Sequence, residues 1–139
     1  MRIVIDTNVL VPPLLSKRGA ANHVLSAAAD VAFVVLASPP LFLAYEEVPR
    51  RPEHQLRHGL DLGQVGTLLR SLARLVEPVD VRFLWRPRLR DPDDEMVLEA
   101  AINGSADMIV TCNVADFDPA VRFGLRIAAP QDFLTEIAR

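Results

Sequence analysis

The stretch Arg2-Ile3-Val4-Ile5-Asp6-Thr7-Asn8 decides how the rest of the chain is read. An unbroken apolar run of β-branched residues suits a strand buried on both faces, and it ends abruptly in an acid, a hydroxyl and an amide. Working outward, Ala20 to Ala29 reads as a helix after Gly19, and Val31 to Ala37 as a second strand. Ser38-Pro39-Pro40 supplies a helix cap and first-turn prolines, after which Leu41, Ala44, Tyr45 and Val48 recur at helical spacing until Pro49. Asp61 opens a longer helix with the stripe Leu62, Val65, Leu68, Leu69, Leu72 and Leu75, and an apolar–polar strand runs from Val76 to Phe83. A helix from Asp93 or Asp94 to Ile102 ends at Asn103-Gly104. A strand from Asp107 to Cys112, a short strand from Leu125 to Ala128 and a helix from Pro130 complete the pattern. Strands alternating with helices predict an α/β fold of βα units around a mainly parallel sheet. In such folds the site lies beyond the carboxyl ends of the strands, where the winding reverses.

The chain has 139 residues, 50% of them hydrophobic and 24% charged, with a net charge of −3. This suits a single domain over residues 1–139, because no repeat or Gly/Ser linker divides it. No apolar stretch approaches the roughly 18 residues a membrane span needs, and the N-terminus lacks a signal-peptide pattern. Cys112 has no cysteine partner, and three scattered histidines make no zinc spacing. A reducing cytoplasm is the expected compartment. The charge is uneven: residues 50–90 hold nine arginines against four acids (+5), and the remainder holds six basic residues against fourteen acids (−8). That division suits a surface that gathers a cation beside one that meets a polyanion, although a merely solvated basic face is the plainer explanation.

Three acid-bearing segments fall where such a site is expected. Asp6-Thr7-Asn8 follows the first strand, and the plainer alternative is a turn cap. Arg90-Asp91-Pro92-Asp93-Asp94-Glu95 begins a helix, where acids favour the dipole; four carboxylates in five positions nevertheless exceed what one cap needs. Asn113-Val114-Ala115-Asp116-Phe117-Asp118 follows the 107–112 strand. Oxygen ligands without histidine or thiolate point to Mg2+ or Mn2+. Beside them, Trp85-Arg86-Pro87-Arg88-Leu89-Arg90 offers a ring for stacking on a base and arginines for phosphates, against the alternative of a buried Trp with solvated arginines.

Ile5-Asp6-Thr7-Asn8-Val9-Leu10, the Arg90-Asp91-Pro92-Asp93-Asp94 helix start, and Val110-Thr111-Cys112-Asn113 followed by Asp116-Phe117 together resemble a PIN domain. The resemblance covers essentially the whole chain and is strongest to bacterial, VapC-like toxins of toxin–antitoxin pairs. It implies a three-layer α/β/α sandwich, a metal-dependent ribonuclease and a cognate antitoxin that blocks the site. Asp6 matches the first metal-binding acid and Asp94 the acid of the later helix, with Asp91 as a helper. Asn113 stands where many relatives have a further aspartate, and Asp116 lies three residues on.

The largest departure is at position 44. Relatives of this group carry a glutamate just before the tyrosine, whereas this chain reads Ala44-Tyr45-Glu46-Glu47. On a helix, Glu46 points about 200° away from position 44 and Glu47 about 60° away, so only Glu47 is a partial substitute. Natural loss and deliberate replacement both fit an alanine there.

The leading expectation is hydrolysis of RNA phosphodiesters. In it, Asp6 and Asp94 hold Mg2+ or Mn2+, Asp91 or Asp116 orders water, and Thr7 and Asn8 position Asp6. Arg50, Arg51, Arg86, Arg88 and Arg90, with Trp85, hold the RNA. A phosphoaspartate mechanism at Asp6 fits less well, because the third residue is Asn8 and Lys17 is the only lysine. A third reading is a non-cleaving domain that binds RNA or an antitoxin. Homodimerisation is compatible with the apolar composition.

Overall fold

A computed structural model describes residues 1–10, 23, 27, 33–51, 53, 62–82 and 92–137. Five short strands, β1 (Arg2–Ile5), β2 (Val34–Ala37), β3 (Val76–Pro78), β4 (Met108–Val110) and β5 (Arg126–Ala128), pair in the order β3-β2-β1-β4-β5. Every pairing is parallel. Helices α1 (Pro39–Glu47), α2 (Leu62–Leu75), α3 (Pro92–Asn103) and α4 (Pro130–Ile137) flank the sheet. Segments of 3-10 helix occupy Thr7–Leu10, Val48–Arg50 and Val114–Phe123. The alternation of strands and helices thus forms the expected α/β fold. Among the described residues no helix is long and apolar enough to cross a membrane.

β1 lies at the centre because its residues can be covered on both faces: Ile3, Val4 and Ile5 are buried, as are Val35 and Leu36 on one side and Ile109 and Val110 on the other. The chain lays β2 and β3 outward from β1, then returns past it to add β4 and β5. The winding therefore reverses between β1 and β4, where α/β folds place their sites. Ile5 registers with Val110, so the next residues, Asp6 and Thr111, leave the sheet side by side.

Local chemistry sets the element ends. Ser38 caps α1 by accepting the Leu41 N–H at 3.3 Å, and prolines occupy the first turn, where no N–H is missed. Pro49 has no N–H for the α-helical ladder, so the helix tightens into the 3-10 turn at Val48–Arg50. The α2 stripe buries Val65, Leu69 and Leu72 and half-buries Leu68 and Leu75. Two residues shape the turn at the end of α3. Ser105 takes the left-handed conformation (φ 53°), and Ala106 N–H bonds back to Ala101 O at 2.9 Å. Gly104 is needed for close approach: a Cβ there would sit 2.9 Å from Ala100 O and Val79 Cγ2 and 3.0 Å from Leu36 Cδ1.

The strands are shorter than the sequence suggests. The strand expected over 31–37 starts at Val34, after Phe33, with residues 31 and 32 outside the described set. The one expected over 76–83 ends at Pro78. β2 stops at Ala37, where Ser38 caps α1, so the chain beyond the Val79 N–H to Ala37 O bond has no strand to pair with. β4 is confined to Met108–Val110, and β5 starts at Arg126. The segment expected to be a loop at 113–118 is, from Val114 onward, part of the 3-10 run, whose three-residue repeat buries Phe117 and Ala120 together. The helix expected at 20–29 lies outside the described residues except for His23 and Ala27, both helical.

Candidate active site

Asp6 is the first residue after the central strand and is only 3% exposed. Its Oδ2 accepts the Thr111 hydroxyl at 2.7 Å, and its Oδ1 accepts the Thr7 hydroxyl at 3.4 Å. Thr111 Oγ1 also receives the Asn113 N–H at 3.1 Å and Asn8 Nδ2 at 3.4 Å. The other end of the Asn8 amide accepts the Cys112 N–H at 3.1 Å. The loops after β1 and β4 are thus joined by one hydrogen-bond network around Asp6. From α1, the fully buried Tyr45 donates its hydroxyl to Ile5 O, the carbonyl beside Asp6.

The electrostatics follow from burial. Loss of water pushes the Asp6 carboxyl above its ordinary range, while bonds from Thr111, Thr7 and the neighbouring backbone partly oppose the shift. The Tyr45 phenol is pushed up, first by burial and then by the charge of Asp6. The Cys112 thiol is pushed up for the same two reasons, in the same order. Two groups on different elements therefore sense the Asp6 charge, as expected for a desolvated carboxylate at a meeting point of elements.

The other expected residues fall around this centre unevenly. Thr7 and Asn8 are half-buried beside Asp6, while Asn113 is exposed and enters the network through its backbone. Asp116 is exposed in the first turn of the 3-10 run, its N–H bonded to Asn113 O at 3.1 Å. Ala44 is half-buried on α1, next to Tyr45. Glu47 is exposed and grips Arg51 through two 2.8 Å bonds, directing its carboxylate along the helix surface. Arg50 and Arg51 are exposed and border an open cavity of about 490 Å3 with Leu43, Glu46 and Glu47. Asp94 is half-buried in the first turn of α3. That turn lies at the carboxyl edge of the sheet, since the helix runs down to feed the start of β4. Asp91, Trp85, Arg86, Arg88 and Arg90 lie outside the described residues.

Three polar positions received no role of their own from the sequence, although Thr111 and Glu95 stand inside motifs quoted there. Thr111 carried one signal, as the first residue after the apolar run of β4, where Asp6 stands after β1. Glu95 and Glu99 are each 3% exposed, one turn apart on the inner face of α3. The acidic run is thus split by helical geometry, with Asp94 nearer the surface and Glu95 in the interior.

Among the described residues no group of three His, Cys, Asp or Glu stands together to hold a metal ion. The donor chemistry fits a hard divalent cation in part: Asp6 is an oriented oxygen donor, the first turn of α3 carries Asp94 at the same sheet edge, and position 44 offers only a methyl group. The family model described as PIN domain matches residues 2–115, from β1 into the 3-10 run after β4. A comparison with curated proteins returns no match.

Proposed function

The chain belongs to the PIN domain family, whose members are generally nucleases and commonly metal-dependent. From that premise we propose that it is a Mg2+- or Mn2+-dependent endoribonuclease weakened at position 44, the toxin of a toxin–antitoxin pair. The observation that carries the reading is Asp6: a carboxylate withdrawn from water and oriented by two hydroxyls where the sheet reverses its winding. Such a charge adds nothing to the core and costs desolvation, the signature of a group kept for chemistry.

In this reading Asp6 and Asp94 hold the cation. A bound Mg2+ or Mn2+ supplies an acidified water and a counter-charge for the phosphate oxygens. Thr111, Thr7 and Asn8 fix the Asp6 carboxylate, and Asp116 orders water at the rim. Arg50 and Arg51 attract the RNA backbone through charge, and the cognate antitoxin covers the same edge. The missing carboxylate at Ala44 favours one competing reading, a domain that binds RNA without cutting it. Ala44→Glu separates the two. The nuclease reading expects Mn2+-dependent cleavage of single-stranded RNA well above that of the parent chain, whereas an equally inert Ala44→Glu protein supports the non-cleaving domain.

A further inference from the structure

We propose that the cavity on the outer face of α1 is a subsite for guanosine in single-stranded RNA, with Glu46 as the residue that reads the base. The purpose of such a subsite rests on the nuclease reading; its base preference is measurable without cleavage.

The cavity of about 490 Å3 is bordered by Leu43, Glu46, Glu47, Arg50 and Arg51, from α1 and the turn that continues it. That volume is in the range of small-ligand sites and suits one nucleotide rather than a duplex. The cavity adjoins the candidate active site, because the 3-10 turn at Val48–Arg50 packs against Thr7–Leu10, the turn that follows Asp6. Leu43, Glu46 and Arg50 recur at i, i+3 and i+7 and so share one face. Two glutamate–arginine pairs stand here at i, i+4, and they behave differently. Glu47 and Arg51 close on one another through two 2.8 Å bonds. Glu46 and Arg50 do not: among the described residues neither side chain has a hydrogen bond or ion pair, although Glu46 is half-buried. Leu43, 65% exposed, sets an apolar surface beside them.

A carboxylate accepts hydrogen bonds and cannot donate them. Its best match among the RNA bases is an edge with two adjacent donors, and only guanine has one, the N1–H beside the N2 amino group. Adenine and cytosine set a single amino group next to a bare ring nitrogen, and uracil flanks its N–H with two carbonyls, all acceptors that a carboxylate repels. These edges are open to a side chain only in unpaired RNA. Leu43 then supplies a floor for the base, Glu46 takes its edge and Arg50 meets the phosphate. The three groups match the three parts of one nucleotide.

The test is fluorescence anisotropy of labelled five-nucleotide RNAs, adenosine at every position except the centre, titrated with the full chain in EDTA so that nothing is cut. The centre is guanosine, adenosine, cytidine, uridine or inosine, which keeps the N1–H and lacks the N2 amino group. The guanosine RNA should bind roughly tenfold more tightly than the adenosine, cytidine and uridine ones, with inosine between. In Glu46→Gln, which exchanges one acceptor oxygen for a donor, the preference should collapse to within about twofold. The inosine comparison needs only the parent protein, so it stands even if the variant does not fold. Equal affinity for guanosine and adenosine RNAs, inosine bound as tightly as guanosine, a preference that survives Glu46→Gln, or no binding of any RNA overturns the proposal. Binding without preference leaves the nuclease reading standing, since cleavage by Ala44→Glu decides that separately. A guanosine preference in a protein whose Ala44→Glu variant never cleaves RNA supports the subsite and ends the nuclease reading.

Discussion

Replacing Asp6 by asparagine should make the protein more stable at neutral pH. The substitution removes a charge that is 3% exposed, yet keeps an oxygen that can accept the Thr111 hydroxyl. An incompletely compensated buried polar group costs about 1–3 kcal/mol. The asparagine Nδ2 loses a water partner of its own, so the net gain for Asp6→Asn is on the order of 1 kcal/mol at pH 7, or about 3–5 °C in Tm for a chain of this size. The pH dependence fixes the sign. Because burial raises the Asp6 pKa on folding, folding favours the protonated acid. The corresponding stability is fully present below the unfolded value of 3.8 and is lost as pH rises through the higher folded value. The gap between Asp6→Asn and the parent should therefore be widest near neutrality and narrow toward pH 4. Urea unfolding of both proteins in EDTA at the two pH values measures it, the other carboxylates cancelling between them. An asparagine variant less stable than the parent at pH 7, or a gap that widens on acidification, refutes the reasoning.

Other consequences are equally direct. Gly104→Ala should destabilise by about 1–2 kcal/mol in urea unfolding, because overpacking against Ala100 O, Val79 and Leu36 outweighs the entropy an alanine removes from the unfolded chain; a neutral or stabilising effect would contradict that contact. Tyr45→Phe keeps the edge-on contact with Phe42 but leaves Ile5 O without the phenol, and should cost about 1–2 kcal/mol in the same assay. An unchanged stability would show that the bond does not tie α1 to β1.

The centre of the fold was legible because a buried parallel strand is written as an uninterrupted β-branched run, and Arg2–Ile5 ends on Asp6 without ambiguity. Strand lengths were not. Alternation continues past Pro78, but a strand lasts only while a neighbour offers hydrogen bonds, and the end of β2 is decided by the Ser38 cap some forty residues earlier. The 3-10 run after β4 was hidden because its acids dominate the local pattern, while its buried contacts recur every third residue at Phe117 and Ala120. Thr111 looks like an ordinary strand residue until the register sets it against Asp6. The absent carboxylate at position 44 became visible only through resemblance, since alanine fits the helical stripe without complaint.

The central claim, a nuclease site organised by Asp6 and weakened at position 44, is tested most directly by the single-turnover rate of RNA cleavage in Mn2+. Ala44→Glu is compared with Ala44→Glu carrying Asp6→Asn. The expected result is clear cleavage by the first and loss of most of it in the second, both proteins remaining folded. Equal rates for the two would contradict the assignment of Asp6.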